Sequence, residues 1–209
     1  MDRMIEELGT LIREQSIRHG DFVLASGARS NYYCDVKATT LSPRGAYLVG
    51  EVLYRLFSAL EVEAVGGLAM GSVFMSSAVS LTSAQRDRPI YSFFVRAKEK
   101  DHGLKHRVEE AYFPGGEKLL SPGRRVAIVD DVVTKGGSIL QAIEVVQARG
   151  CHISSVLALV DRKAGGGEML RAKGLPYTFI FSTDDNGSLQ VNDEYSSSPS
   201  RVPAIGAIS

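Results

Sequence analysis

The segment Val126–Ser138, VAIVDDVVTKGGS, limits the possible folds more than any other part of the chain. It begins with a strand-length apolar run, Val126–Val129, and the acidic pair Asp130-Asp131 follows directly. After a glycine-containing turn, apolar residues recur at helical spacing from Ile139 to Val146. A buried strand that leads through a turn into a helix is one unit of an α/β fold with a parallel sheet.

The same alternation of strand and helix recurs on both sides of this segment. Ahead of it, Ala64-Val65 runs into Gly66-Gly67, and a helix is expected after Met70-Gly71-Ser72. Further apolar runs of strand length are Pro89–Val95 and Ile153–Val160. Because these strands are apolar throughout and alternate with helices, we predict an α/β fold with a mostly parallel sheet and helices on both faces.

Three other regions complete the chain, whose 209 residues favour a single domain. In residues 1–35, apolar spacing predicts a helix over the first ~17 residues, and Phe22–Leu24 and Tyr32–Cys34 predict a hairpin. Residues 96–123 are charged and show no sustained period, which indicates a mobile loop between two strands. Residues 182–209 form a polar tail rich in turn-forming residues, to which no chemistry is assigned.

The composition argues against several classes of protein. The 24 basic and 24 acidic residues cancel, so the bulk charge does not favour nucleic acid or an anionic membrane as a partner. No apolar run approaches the ~20 residues that a membrane span requires. The N-terminal sequence MDRMIEELGT is acidic and amphipathic and does not resemble a signal core, and two cysteines make no disulfide framework. We therefore expect a soluble protein of the reducing cytoplasm.

The residues after the central strand have the chemistry of a sugar-phosphate site. The carboxyl ends of such strands face the ligand crevice, so Asp130 and Asp131 can accept hydrogen bonds from sugar hydroxyls and organise waters around Mg²⁺. The turn Thr134–Ser138 can present backbone N–H groups and hydroxyls to a phosphate at a helix N-terminus. Ser138 and Gln141 also stand at capping-box spacing for that helix. The alternative is that the acidic pair only caps a loop.

This segment resembles the phosphoribosyl pyrophosphate motif of the type I phosphoribosyltransferases, with its apolar run, paired acids and TxGGS turn. Gly66–Gly71 is similar to the pyrophosphate-side turn of that family. The resemblance implies the type I fold with an N-terminal helix and hairpin as a hood. It also implies Mg²⁺ as the cofactor, held by the donor and by waters and not by a direct protein ligand. The donor-binding residues that it implies in these two segments are Met70, Gly71, Asp130, Asp131, Val132, Val133, Thr134, Lys135, Gly136, Gly137 and Ser138.

A cationic stretch, Arg96–Gly103 (RAKEKDHG), lies at the start of the expected loop. A run of alternating charges is commonly a solvated surface, but this one is similar to the RKxxKDHG loop of orotate phosphoribosyltransferases. In that family the loop completes the site of a neighbouring subunit, which implies a homodimer. The resemblance assigns Arg96, Lys100 and His102 to the pyrophosphate of the donor. The catalytic residues that it implies are Lys100, His102 and Asp131.

Two further segments indicate orotate as the accepting base. The hairpin Leu24–Asp35 is similar to the LxSGxxSxYYxD hairpin of the same family, and Asp161-Arg162 matches a strand-end pair whose arginine meets the orotate carboxylate. A guanidinium pairs with a carboxylate through two parallel hydrogen bonds, and neither adenine nor hypoxanthine carries a carboxylate. Alternatively, Arg162 neutralises Asp161, and the tyrosines of the hairpin are core residues. The orotate-binding residues that the resemblance implies are Tyr33, Cys34, Thr134 and Arg162.

Three positions depart from the family pattern. Ala25, Ala97 and Gly71 stand where many members have lysine, and each loss removes a contact to a phosphate or to the substrate. Lys98 can compensate for Ala97 by a shift of one position along the loop, so it joins the expected donor-binding residues. Backbone N–H groups at Gly71 and Ser72 can partly replace a lysine at the turn.

The resulting prediction is an enzyme that transfers the 5-phosphoribosyl group from phosphoribosyl pyrophosphate to orotate, giving orotidine 5′-monophosphate and pyrophosphate. Attack of a base nitrogen at the anomeric carbon builds oxocarbenium character, so the protein mainly positions the reactants and stabilises the leaving charge. One alternative is a phosphoribosyltransferase for another base. The other is a non-catalytic sensor of the donor with the same fold, although no DNA-binding segment is visible in the sequence.

Overall fold

The computed structural model describes residues 2–23, 27, 29–98 and 107–196 of the chain. The helices in these ranges are α1 (Asp2–Gln15), α2 (Lys37–Thr40), α3 (Pro43–Ala59), α4 (Gly71–Ser83), α5 (Gly137–Gln147), α6 (Gly166–Ala172) and α7 (Asp193–Ser196). The strands are β1 (Ile17–Val23), β2 (Arg29–Cys34), β3 (Ala64–Gly66), β4 (Tyr91–Val95), β5 (Val108–Glu110), β6 (Arg125–Val133), β7 (His152–Asp161), β8 (Tyr177–Thr183) and β9 (Leu189–Val191).

The strands are arranged in a hairpin and a central sheet. β1 and β2 pair as the antiparallel hairpin. The other strands of the described chain form a seven-stranded sheet in the order β5-β4-β3-β6-β7-β8-β9. Its inner strands are parallel, and its two edge strands, β5 and β9, run antiparallel to their neighbours. The prediction of a mostly parallel sheet is therefore confirmed.

The direction of winding changes between β3 and β6. From β3 the chain proceeds outward to β4 and β5, whereas from β6 it proceeds to β7, β8 and β9 on the other side. β3 and β6 pair in parallel, from Ala64 opposite Val126 to Gly66 opposite Ile128. In doubly wound sheets the ligand binds beyond the carboxyl ends of the two strands at such a switch point. This pairing therefore locates the crevice in which a site is expected.

Helices cover both faces of the central sheet, as predicted. Alternate residues of a strand point to opposite faces. Ala127 and Val129 of β6 pack in one core with residues of α1, α3 and α4, whereas Val126 and Ile128 pack in a second core with residues of α5 and α6. Each such valine or isoleucine stabilises the fold by ~1.5–3 kcal/mol when it is fully buried. Burial on both faces explains why β6 begins with an uninterrupted apolar run.

Local signals define the start of α3 and the end of α5. Ser42 Oγ accepts a hydrogen bond from Gly45 N at 3.1 Å, and Pro43 occupies the first turn of α3, where its missing N–H group costs little. After α5, Gly150 adopts a left-handed φ of 77°, which is common where a helix ends, and its N–H group donates to Gln147 O at 2.9 Å.

The N-terminal helix and hairpin are present, but their bounds differ from the predicted ones. α1 ends at Gln15, and both hairpin strands begin earlier than expected, at Ile17 and Arg29. Polar residues in these strands hid their true length, because both strands are largely exposed along one face. Residues 24–26, which include Ala25, lie outside the described residues.

The expected loop at residues 96–123 is shorter than predicted. Its second half contains β5, which pairs with β4, and Leu119 and Leu120 are buried. The Glu110 carboxylate accepts a hydrogen bond from Leu120 N at 2.8 Å and so ties this segment to β5. A three-residue edge strand has no readable alternation in the sequence, so only its pairing reveals it.

The expected polar tail at residues 182–209 is also too long. β8 continues to Thr183, and β9 and α7 follow it. Asn192 joins them, because its N–H group donates to Ile180 O at 2.9 Å and its Nδ2 donates to Phe179 O at 2.8 Å. These hydrogen bonds form only in the tertiary fold, so local composition could not predict them. Residues 197–209 lie outside the described ranges.

Candidate active site

The turn after β3 lies over the middle of β6. β3 ends at Gly66, whereas β6 continues for five residues beyond the partner of Gly66, from Val129 to Val133. A Cβ atom on Gly67 would overlap Val129 O, so the turn runs directly against the backbone of β6. The turn is also tied to β4, since Val95 N donates to Gly67 O and Ala69 N donates to Val95 O, both at 2.8 Å. It then enters α4 at Gly71.

The acidic pair lies within β6 and not beyond its end. The prediction ended the strand at Val129, but β6 includes both acids and stays paired with β7 as far as Val133. Asp130 and Asp131 are only 8% and 7% exposed. Backbone N–H groups hold both carboxylates, with Asp131 N donating to Asp130 Oδ1 at 3.1 Å and Val132 N to Asp131 Oδ1 at 2.9 Å. The pair is a built feature of the crevice and not a loop cap.

Gly71 brings the start of α4 against both carboxylates. A Cβ atom at Gly71 would overlap Asp131 Oδ1 and would lie 2.7 Å from Asp130 Oδ1. No residue other than glycine fits here while the acids keep their positions. Glycine in place of lysine at this position therefore has a structural reason, because the Gly71 backbone lies in close contact with the two carboxylates.

A cation that the sequence analysis missed faces the same pair. Lys37, the first residue of α2, places Nζ 2.8 Å from Asp35 Oδ1 and 3.3 Å from Asp131 Oδ2. Burial opposes the charge of Lys37, but its hydrogen bonds and attraction to Asp35 and Asp131 outweigh burial and raise the pKa of the ammonium group. In the sequence, the spacing Asp35-Val36-Lys37 after the hairpin is the local signal for the contact of Lys37 with Asp35. The contact with Asp131, 94 residues away in sequence, had no signal.

The electrostatics of the pair favour a proton on Asp130. Burial, and then the neighbouring Asp131 charge, raise the pKa of Asp130 to about 8, against smaller lowering effects from the Asp131 backbone N–H group and from Lys37. Two like charges this close and this buried cannot both ionise freely. The pair therefore holds less than its full negative charge near neutral pH until a ligand changes its surroundings.

The turn after β6 leaves the start of α5 open. Gly136 adopts a left-handed φ of 76° and no side chain caps the helix, so the expected capping box of Ser138 and Gln141 is wrong. α6 packs behind the turn, where Gly166 N donates to Thr134 O at 2.9 Å. The side chains of Thr134, Lys135 and Ser138 are exposed. An uncapped helix N-terminus with exposed hydroxyl groups suits a phosphate.

Besides the acidic pair, two more predicted donor-binding residues, Val132 and Val133, lie in β6. Val133 is buried in the apolar core, and its carbonyl accepts a hydrogen bond from Arg162 N at 2.9 Å. Val132 is partly buried and packs against the other core. Met70, by contrast, is exposed at the turn before α4. The side chain of Val133 is therefore unavailable to the donor.

Arg162 turns toward the hairpin and away from Asp161. Arg162 Nε donates to Tyr32 Oη at 2.9 Å, and the guanidinium carbon lies 4.4 Å from the centre of the Tyr32 ring. The Asp161 carboxylate accepts from Tyr177 Oη at 2.9 Å and from Lys163 N at 2.7 Å. The structure does not support the alternative that Arg162 serves to neutralise Asp161.

The strand alternation of β2 places Tyr32 and Cys34 inward. Tyr33 is 44% exposed and packs on Phe22, with ring centres 5.7 Å apart, so the structure brings Tyr32 and not Tyr33 to Arg162. Burial raises the pKa of the Cys34 thiol to about 11; the charge of Arg162 lowers it and that of Asp131 raises it. Cys34 is therefore near enough to Arg162 and Asp131 for both charges to act on it, and it is a neutral thiol.

The cationic stretch is only partly described. Arg96 Nε donates to Glu109 Oε1 at 2.9 Å, and Arg96 N donates to Arg107 O at 2.7 Å, so the start of the stretch is tied to residues that follow it in the chain. Lys98 is exposed. Lys100 and His102 lie outside the described residues. In the parts of the chain that the structure describes, no helix has the length and apolar character that crossing a membrane requires.

The chain is similar in sequence to known proteins along most of its length. No protein-family model matches it. An orotate phosphoribosyltransferase of Sorangium cellulosum (strain So ce56) is 42% identical over 181 residues, which cover 86% of this chain and 91% of the relative. The chain belongs to the orotate phosphoribosyltransferase family.

Solved structures of the family agree with the fold. A Mycobacterium tuberculosis orotate phosphoribosyltransferase in complex with Fe(III) dicitrate has a TM-score of 0.72 and 33% identity, over 87% of this chain and 97% of that one. The same enzyme in complex with phosphoribosyl pyrophosphate has a TM-score of 0.64 and 27% identity, over 86% and 89%. The expected type I phosphoribosyltransferase fold is confirmed.

The raised pKa of Asp130 predicts how the stability of this family member depends on pH. The folded protein retains a proton on Asp130 up to about pH 8 that the unfolded chain releases near pH 4, so the stability that this group contributes is fully present below about pH 4 and is lost as pH rises through about 8. Asp130→Asn removes the titration. In ligand-free melts followed by circular dichroism, the wild-type midpoint should fall relative to that of the variant between about pH 5 and pH 8. Parallel pH profiles would contradict the assignment.

Proposed function

We propose that the crevice between the turns after β3 and β6 binds phosphoribosyl pyrophosphate and that its residues carry out the family reaction. In that reaction the protein transfers the 5-phosphoribosyl group to orotate, giving orotidine 5′-monophosphate and pyrophosphate for pyrimidine nucleotide synthesis. The observation that carries the proposal is the buried pair Asp130-Asp131 beneath Gly71, beside the uncapped start of α5. The solved complex of the Mycobacterium tuberculosis relative with phosphoribosyl pyrophosphate supports the same ligand.

The proposal gives phosphoribosyl pyrophosphate one orientation in the crevice. Asp130 and Asp131 would accept hydrogen bonds from the ribose hydroxyls, and the turn Thr134–Ser138 would bind the 5′-phosphate with its N–H groups and hydroxyls. The backbone at Gly71 and Ser72 would face the pyrophosphate, because α4 begins against the acids. Asp131 is the proposed catalytic member of the pair, since it also contacts Lys37.

Mg²⁺ is the proposed cofactor, and the residues present fit it as an ion carried by the donor. Across the described ranges, no three His, Cys, Asp or Glu side chains are grouped to hold a metal ion by themselves. The buried carboxylates can instead bind waters of an ion that prefers oxygen and retains its hydration. When bound, the ion neutralises charge on the departing pyrophosphate.

The base would bind at Arg162, next to Cys34. Arg162 keeps the Nη edge of its guanidinium for the orotate carboxylate, because Tyr32 accepts from Nε. Thr134 is the residue shared by both substrates in the proposal, and the backbone of Tyr33 and Cys34 would border the base. Nitrogen attack at the anomeric carbon then needs no covalent nucleophile, only alignment of the two substrates.

The loop would supply the charge that the pyrophosphate requires. We infer that Lys100 and His102, with Arg96 and Lys98, bind the leaving group, and that the loop serves the site of a partner subunit in a homodimer. The ion pair of Arg96 with Glu109 would have to open for Arg96 to reach the donor. A cytoplasmic location is part of the proposal, and it is supported by two free cysteine thiols.

A base-specificity assay tests the function. Purified protein is incubated with Mg²⁺ and phosphoribosyl pyrophosphate and with orotate, hypoxanthine, xanthine or adenine in turn. We expect consumption of orotate alone, because only orotate offers a carboxylate to Arg162. Turnover of another base would favour a sister enzyme, and binding of the donor without any turnover would favour a sensor.

Loop variants test the proposed cations. Lys100→Ala should lower kcat by about a hundredfold, the scale for loss of a charge-stabilising donor, while KM for orotate changes little. Lys98→Ala should lower kcat in the same direction if Lys98 compensates for Ala97. Lys173→Ala, an exposed lysine at the end of α6, is the matched control. Equal losses in kcat and in orotate binding for Lys100→Ala would contradict its role, and unchanged turnover in Lys98→Ala would contradict the compensation.

A further inference from the structure

The hydroxyl of Tyr32 is the meeting point of three chain segments. Besides accepting from Arg162 Nε at 2.9 Å, it lies 2.8 Å from Thr183 Oγ1, and both Tyr32 and Thr183 are buried. Ser30 Oγ lies 3.5 Å from Arg162 Nη2 and so adds a weaker contact from β2. The guanidinium of Arg162 is therefore held by the hairpin, while the hairpin tyrosine is held by the end of β8.

The direction of these hydrogen bonds follows from the groups themselves. A guanidinium Nε only donates, so the Tyr32 oxygen accepts from Arg162. Since that oxygen accepts from Arg162, its own O–H hydrogen is available for Thr183 Oγ1, 2.8 Å away. A hydrogen bond to a charged donor is stronger than one between neutral groups. The Tyr32 hydroxyl thus fixes both the position and the rotation of the guanidinium.

The ring of Tyr32 is itself fixed by the turn after β8. A Cβ atom on Gly187, whose φ is 81°, would lie 2.7 Å from ring atom Cδ2, so the turn packs tightly against the ring. Asp184 Oδ1 shapes this turn by accepting from Asn186 N at 2.9 Å and Ser188 N at 2.8 Å. This turn belongs to residues 182–209, to which the sequence assigned no chemistry, and it packs against the ring of Tyr32.

We propose that Tyr32 is a positioning residue that determines specificity for a carboxylate on the base, by holding Arg162 through its hydroxyl and by being held itself through Thr183. The inference rests on the proposed function of Arg162 as the partner of the orotate carboxylate. With Nε occupied, the guanidinium presents its Nη edge in one orientation. A planar carboxylate binds that edge through two parallel hydrogen bonds only if the guanidinium does not rotate.

The test uses two nucleotides that differ only in the carboxylate. Orotidine 5′-monophosphate carries it and uridine 5′-monophosphate does not, so their affinities, measured by isothermal titration calorimetry, isolate the contribution of Arg162. Tyr32→Phe keeps the ring stacked on the guanidinium but removes the hydroxyl. Its affinity for orotidine 5′-monophosphate should fall about tenfold, the scale of one charge-assisted hydrogen bond, with affinity for uridine 5′-monophosphate unchanged.

Two further variants complete the design. Thr183→Val removes the acceptor behind Tyr32 and should cause a smaller loss, about threefold, again only for the nucleotide with the carboxylate. It carries the test alone if Tyr32→Phe does not fold in thermal melts. Tyr195→Phe is the matched control, because Tyr195 is equally buried, at 3% exposed, and lies in α7. It should bind both nucleotides as the wild type does.

The outcomes separate this inference from the proposed function. If the wild type prefers orotidine 5′-monophosphate and both variants keep that preference, or lose affinity for both nucleotides equally, Tyr32 has no positioning role. If the wild type shows no preference for the carboxylate and does not consume orotate, the proposed role of Arg162 fails first. Loss of the preference in Tyr32→Phe, with unchanged KM for phosphoribosyl pyrophosphate, supports the inference.

Discussion

The parallel pairing of β3 with β6 is the constraint on which the candidate site depends. β3 stops at Gly66 while β6 continues to Val133, so the turn that follows β3 must cross over the part of β6 that contains the acids. The turn can lie this close only because Gly67 and Gly71 have no side chains. The start of α4, the acidic pair and the start of α5 consequently converge on one crevice.

This convergence concentrates negative charge where water is scarce, and the protein limits the cost in two ways. A proton on Asp130 reduces the repulsion within the pair, and the Lys37 ammonium group offsets part of the remaining charge. Under the proposed function, a bound sugar phosphate with its Mg²⁺ would take over both effects. The ion would supply positive charge, and the sugar hydroxyls would donate hydrogen bonds. In the proposed site, the inward face of β2, which carries Tyr32 and Cys34, would link the donor side to Arg162 on the base side.

Sequence reasoning found the features that repeat along one strand or helix, and it missed those that depend on distant pairing. The apolar runs located β3, β6 and β7, and the acidic pair and glycine turn indicated the crevice that is the proposed donor site. The contact of Lys37 with Asp131 and the support of Tyr32 by Thr183 join residues far apart in the chain, so no local pattern encodes them. The capping box failed because Gly136 takes a left-handed conformation that ends the turn before Ser138 can cap the helix.

The candidate site depends on the close approach of Gly71 to the acidic pair, and one binding measurement tests whether donor binding requires it. Isothermal titration calorimetry with phosphoribosyl pyrophosphate and Mg²⁺ compares the wild type with Gly71→Ala, after circular dichroism has shown that the variant is folded. A methyl group in this contact displaces Asp131, and overpacking of this kind costs about 1–3 kcal/mol. The account predicts donor binding weakened about tenfold or more. Unchanged affinity in a folded Gly71→Ala variant would contradict it.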